Sequence, residues 1–127
     1  MEKQDTLKVT VTTSIEVTKK RLSDLLCGAA EGGSAYWARS NDNNHKEVGA
    51  EYWFEAPLYE NGFFTIEDQT YDKKYEYRVT LGEIEKGLQV MAELYPKHYA
   101  DFMSENEDAI TGDVFLQCCI FNEVIYG

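Results

Sequence analysis

Carboxylates set at regular intervals can do two kinds of work: close pairs share protons in acid–base chemistry, and rows present a fixed negative field. Glu47, Glu51 and Glu55 recur every fourth residue, inside a stretch from Asp42 to Glu76 that holds nine carboxylates and three lysines. With 23 Asp and Glu in 127 residues, close pairs arise by chance and do not identify a hydrolase. His45 falls in a polar loop and His98 in a short helical stretch, and neither shares an HExxH or CxxC spacing with further ligands, so no metal or cofactor is expected. Adjacent Cys118 and Cys119 would lie on different faces of a helix, which suits packing better than redox chemistry. The chain reads as a non-enzyme, and the row of carboxylates is what remains to explain.

Strand parity decides where that row points. Residues 47 to 56 alternate apolar and polar, as a half-buried strand does. If Val48, Ala50, Tyr52 and Phe54 face the core, then Glu47, Glu51, Trp53 and Glu55 face away from it. In the next strand, Phe63 to Glu67, parity turns Phe64 and Ile66 inward and Phe63, Thr65 and Glu67 outward. In a further strand, Tyr75 to Val79, it exposes Glu76 and Arg78. One outer sheet face would then carry Glu47, Glu51, Glu55, Glu67 and Glu76 around Trp53 and Phe63. Carboxylates about 7 Å apart along a strand match the spacing of phosphates along one DNA strand. Such a face repels nucleic acid and fits a protein's basic nucleic-acid-binding surface, with exposed aromatics as anchors. A polar sheet face also serves solubility alone, and both readings stand at this point.

The elements that must position these residues follow from periodicity. Residues 6 to 17 alternate with Leu7, Val9, Val11, Ile15 and Val17 on one side, which predicts a strand. Thr18 caps a helix carrying Leu22, Leu25, Leu26 and Ala29 and ending at Gly32-Gly33. Residues 40 to 45, SNDNNH, have loop chemistry, Asn61-Gly62 offers a tight hairpin turn, and Asp68 to Lys74 is a polar link. Thr80 and Glu83 form a capping box for a helix whose face is Leu81, Ile84, Leu88, Met91 and Tyr95, stopped by Pro96. Pro96 opens a short helix through Met103. Asp113 is placed to cap a last helix, Val114 to Phe121, apolar nearly all round and therefore buried. Glu123 to Gly127 is a short strand or a packed tail. The expectation is an α+β fold, one domain over 1–127, with an antiparallel sheet of three to five strands packed on one side by two to four helices.

Composition agrees with a folded domain. Hydrophobic residues make up 43% of the chain, with six Phe, nine Tyr and two Trp, whereas disordered acidic chains are poor in aromatics. The formal net charge is −11, and from His98 onward there are six carboxylates and no Lys or Arg. No run approaches the roughly 20 apolar residues of a membrane span, and MEKQDTLK lacks the layout of a secretory leader, so a cytoplasmic protein is expected. Three cysteines, an odd number in apolar helical patterns, favour reduced buried thiols.

A second constellation is Glu31-Gly32-Gly33-Ser34-Ala35-Tyr36-Trp37. Paired glycines beside two aromatics could admit a ligand to the backbone and stack it, with Arg39 and Arg78 as phosphate partners. The same residues also describe a helix end whose aromatics turn into the core. Neither a Walker loop nor a dinucleotide fingerprint is present.

Asp24-LLCGAAEGGSAYW-Ala38, LGEIEKGLQV from Leu81 to Val90, and FLQCCIFNEVIYG from Phe115 to Gly127 resemble a family of small proteins carried by bacteriophages and mobile elements. In that family an EGG-type helix end runs into aromatics, and the chain closes on a GEV-aromatic-Gly tail. Asn122 stands here where Gly is usual, a mild departure because Asn tolerates positive φ. The resemblance transfers no catalytic residues. It implies a setting, in a host bacterial cell, where small acidic proteins inhibit immunity. Three readings follow. The first is an anti-CRISPR or anti-restriction inhibitor that binds a basic host defence protein through Glu47, Glu51, Trp53, Glu55, Phe63, Glu67 and Glu76, with no direct contact to nucleic acid or membrane. The second is a homo-oligomeric sponge for a nucleotide immune signal, using Glu31, Gly32, Gly33, Tyr36, Trp37, Arg39 and Arg78. The third is a phage structural or regulatory protein without a defence role.

Overall fold

A computed structural model describes residues 5–71 and 74–127. Asp72 and Lys73 of the expected polar link, and the first four residues, lie outside that description. The elements in order are α1 (Lys19–Gly28), a π turn (Ala29–Gly33), β1 (Ala38–Asn43), α2 (His45–Val48), a 3₁₀ helix (Trp53–Leu58), β2 (Phe64–Asp68), β3 (Tyr75–Val79), α3 (Leu81–Leu94), α4 (Pro96–Met103) and α5 (Ala109–Phe121). The three strands form one antiparallel sheet in the order β1-β2-β3. This is an α+β fold.

Local signals set the helix ends. The Thr18 hydroxyl accepts from the Arg21 N–H at 3.1 Å and opens α1. The Glu83 carboxylate accepts from the Thr80 N–H at 3.2 Å and opens α3. Pro96 takes the first position of α4, where its missing N–H costs nothing. Asn122 closes α5 at φ 64°, the left-handed conformation that Asn accepts more readily than most residues.

The core is built around α5. Val114, Phe115, Leu116, Cys118 and Cys119 are all buried, because α1, α3 and α4 pack around this helix. Phe64, Ile66 and Val79 of the sheet join the same core from one face. Arg21 fastens α1 to the chain between α4 and α5: its guanidinium donates to Glu107 and to the Phe102 carbonyl, and lies over the Phe102 ring.

Five expectations are corrected. Residues 6–17 form no strand: Leu7, Val9 and Val11 are exposed, and residues 10–15 lie beside Leu88 to Glu93 of α3 and not beside a strand. Residues 47–56 are not a strand either. They finish α2, turn at Gly49 (φ 86°) and enter the 3₁₀ helix, in which the Glu55 carboxylate accepts from the Tyr52 N–H at 3.0 Å. Residues 40–45, expected as loop, instead supply most of β1, an edge strand whose pairing shifts register between Ser40 and Asn43. An irregular edge strand with few apolar residues carries little periodicity to read. Finally, Asp108 caps α5, accepting from the Thr111 N–H at 2.9 Å, and Asp113 lies inside the helix. Asn61-Gly62 does turn the chain, with Asn61 at φ 63°, but it joins the 3₁₀ helix to β2 and not two paired strands.

Candidate functional site

The glycine-aromatic constellation and the C-terminal tail meet in one buried polar cluster. Gly32 takes φ 143°, which needs glycine, and the chain turns inward. At Gly33 a Cβ would strike the Ala109 carbonyl, so α1 ends backbone to backbone against the start of α5. That approach sets Ser34, Tyr36 and Trp37 around Asp113. The Asp113 carboxylate accepts from the Ser34 hydroxyl at 2.8 Å, the Tyr36 hydroxyl at 2.6 Å, the Trp37 indole N–H at 2.7 Å and the Gln117 amide at 3.1 Å. Gln117 then holds the tail. Its carbonyl oxygen accepts from the Ile125 and Tyr126 N–H groups at 2.8 and 2.9 Å, and its amide donates to the Tyr126 carbonyl at 3.1 Å. Tyr126 stacks on Trp37 at 5.5 Å between centroids and donates its hydroxyl to Asp68 at 2.6 Å. Glu123 to Gly127 is thus a packed tail.

This cluster is fully used by the protein itself. Trp37 has no exposed surface, and its ring meets Tyr126 and Phe121. Arg39 lies on the outer sheet face in register with Glu67, and Arg78 covers the Phe63 ring at 3.6 Å. Glu31, at the glycine turn, is exposed. Glu31, Gly32, Gly33, Tyr36, Trp37, Arg39 and Arg78 therefore do not converge on one pocket. A cavity of about 210 Å³ does lie beside the turn, bounded by Ala29, Ser34, Ser40, Trp53, Phe64 and neighbouring apolar residues, and no cationic side chain lines it.

The acidic sheet face is also rearranged. Parity in β2 and β3 holds, with Glu67 and Glu76 outward, but the strand beside β2 is β1. It brings Arg39 into the row Arg39, Glu67, Glu76, where three further carboxylates were expected. Lys74 pairs with Glu67 at 3.4 Å, and Asn41 donates to Glu76 at 2.6 Å. The Glu67 side chain is only 12% exposed. That face is balanced in charge and carries no row of free glutamates.

Glu47, Glu51 and Glu55 lie elsewhere, on α2, the following turn and the 3₁₀ helix. There the aromatic pattern is inverted: Trp53 packs edge-on against Phe64 at 5.2 Å, while Tyr52 is 52% exposed. The 3₁₀ helix packs against α1, where Ser23 donates to Glu55 at 2.6 Å. Carboxylates from both elements surround this junction. Burial, then the charges of Glu31, Asp24 and Glu55, push the Cys27 thiol up, opposed by Lys20. Glu51, by its charge and a hydrogen bond, raises the Tyr52 phenol, with a smaller contribution from Glu55. Lys20 is itself tied to Asp24 at 2.5 Å. Asp24, Glu31 and Glu55 thus act on Cys27, and Glu51 and Glu55 on the exposed Tyr52, which groups four carboxylates at the junction of α1 and the 3₁₀ helix as an acidic patch. Sequence reasoning missed Asp24 and assigned Glu31 to the glycine-aromatic constellation, because α1 and the turn after it meet the 3₁₀ helix only through tertiary packing.

Among the described residues no group of three or more His, Cys, Asp and Glu is arranged to hold a metal ion, and no helix is long and apolar enough to cross a membrane. No protein-family model, curated protein or solved structure matches this chain.

Proposed function

We propose that this chain is a phage-encoded anti-defence protein of the anti-CRISPR or anti-restriction type. It acts in the cytoplasm of the host cell as a binding protein without catalysis of its own. It docks through the patch of Asp24, Glu31, Glu51 and Glu55 onto the basic, nucleic-acid-binding surface of a host immune protein. The observation that carries this reading is the exposed Tyr52 beside Glu51 and Glu55, on a segment that the Ser23–Glu55 hydrogen bond fastens to α1. Acid supplies attraction and orientation, and an exposed aromatic supplies the desolvated anchor that interfaces favour. The resemblance to phage proteins at both chain ends supports the setting. A patch replaces the sheet face as the docking surface because the outer face carries Arg39, Arg78 and Lys74 beside Glu67 and Glu76.

The test is phage plating on bacteria that carry defined CRISPR or restriction systems, with and without this protein. Inhibition of one system raises plating by at least about tenfold. Unchanged plating across the whole panel contradicts the proposal.

A further inference from the structure

The inner sheet face and the turn after α1 do not close on each other. Ser40 pairs with Ile66 and Ala38 with Asp68, and cross-strand partners share a face, so β1 turns two small side chains inward beside Phe64 and Ile66 of β2. Around the glycine turn Ala30 and Ala35 are equally short, and the approach of Gly33 to the Ala109 carbonyl pins that turn against α5. Between these walls lies the cavity of about 210 Å³, whereas close-packed interiors hold few voids larger than a water molecule. Its floor is apolar and buried, formed by Leu26, Phe64, Ile66 and Leu116, and its rim reaches solvent at Ala35 and Ser40. Three rings make a further wall: Trp53 packs edge-on against Phe64 at 5.2 Å and Phe54 at 5.8 Å. The Ser23–Glu55 hydrogen bond fastens this wall to α1, so the two keep their spacing.

We propose that this cavity is a binding site for a neutral two-ring aromatic molecule with one N–H, of the size of indole. Size sets the first limit. A cavity of about 150 Å³ lined by Leu, Ile and Phe holds one benzene ring, so about 210 Å³ admits about eight or nine non-hydrogen atoms. Charge sets the second. Among the described residues no Asp, Glu, Lys, Arg or His borders the cavity, so a carboxylate or phosphate inside it would be buried unpaired. Shape follows from the wall of rings, against which a flat aromatic stacks or meets an edge. Ser34 sets the last feature: its hydroxyl proton is committed to Asp113 at 2.8 Å, so its oxygen is left to accept, and a ligand N–H is the complement. Pre-formed apolar pockets with a few placed polar groups are the usual sites for small molecules.

Equilibrium dialysis against indole tests the site. One molecule per chain is expected to bind with a Kd of about 1 mM or tighter, a modest demand on a ligand of this size. Ala38→Leu fills the cavity from β1, and Ser40→Phe blocks it from the exposed rim. Each is expected to weaken binding at least about tenfold with unchanged circular dichroism, and Ser40→Phe carries the test should Ala38→Leu not fold. Benzofuran, the same shape without the N–H, is expected to bind at least about threefold more weakly, and AMP is expected not to compete with indole. No indole binding at several millimolar, wild-type affinity in a folded Ser40→Phe, benzofuran as tight as indole, or displacement of indole by AMP at comparable concentration overturns the proposal.

Discussion

The indole N–H of Trp37 donates to the carboxylate of Asp113 at 2.7 Å, and both side chains are buried. Trp37 follows the glycine turn after α1, and Asp113 lies one turn into α5, so this bond joins distant parts of the chain. Three more donors share the same carboxylate. A buried charge costs little only when it is so satisfied.

Asp113→Leu is therefore expected to destabilise the protein by about 3 kcal/mol or more, because the indole, the Ser34 hydroxyl and the Gln117 amide all lose an acceptor. Thermal unfolding should show a midpoint lowered by roughly 10 °C. An unchanged midpoint would contradict the role given to this carboxylate.

Stability should fall at both ends of the pH scale for identifiable reasons. Burial pushes the Asp68 carboxyl up, but hydrogen bonds from Thr70 and Tyr126 outweigh it, and the net effect holds Asp68 below its usual range. Its contribution is present above the ordinary carboxylate pKa and is lost as pH falls through the lowered value. The Tyr36 hydroxyl, by desolvation and then its bond to Asp113, is pushed up to about 12. Its contribution is full below about pH 10, the ordinary tyrosine value, and disappears as pH rises toward about 12. Denaturant titrations across pH should show both losses. Tyr126→Phe should move the acid loss to higher pH, because Asp68 then has one hydrogen bond fewer.

Two glycines of α3 should respond oppositely to alanine. At Gly87 a Cβ would come within 2.9 Å of the Cys119 backbone, so Gly87→Ala should cost about 2 kcal/mol by forcing α3 from α5. At Gly82 the nearest atom is the Thr80 hydroxyl at 3.8 Å, and Gly82→Ala should stabilise by about 0.5 kcal/mol through helix propensity. Chemical denaturation of the two variants checks the contrast.

Thiol reactivity should separate the cysteines. Burial raises Cys118 to about 12 and Cys119 well above its ordinary value; Cys27 is also raised by burial but is half-exposed, whereas the other two are buried. At pH 8 a disulfide reagent should modify one thiol slowly in the native protein and all three after unfolding. Rapid modification of all three in the native state would contradict the packing of α5.

The helical half of the fold was legible because its signals are local. Thr18, Thr80 with Glu83, and Pro96 each act within one turn of chain, and the structure uses each as expected. β2 and β3 were legible too, since their alternation faces a core on one side. The remaining sheet was not. Residues 47–56 alternate by coincidence in a turn and a 3₁₀ helix, and Ala38 to Asn43 pairs with β2 despite having little apolar content. That exchange of one strand accounts for the lost acidic face, because it places Arg39 beside Glu67. Asp113 illustrates a different gap. Its residue type suits a cap as well as a buried acceptor, and only the arrival of Ser34, Tyr36 and Trp37 from a distant segment distinguishes the two roles.

The docking account turns most directly on Glu31 and Glu51, exposed members of the patch that hold no hydrogen bond needed for the fold, unlike Glu55 with its bonds to Ser23 and Tyr52. The measurement is phage plating in the inhibited strain with the double variant Glu31→Lys and Glu51→Lys, beside circular dichroism of the purified protein. The account predicts a folded protein that no longer raises plating, since reversed charge repels a basic partner. A folded double variant that protects phage as well as the wild type would contradict it.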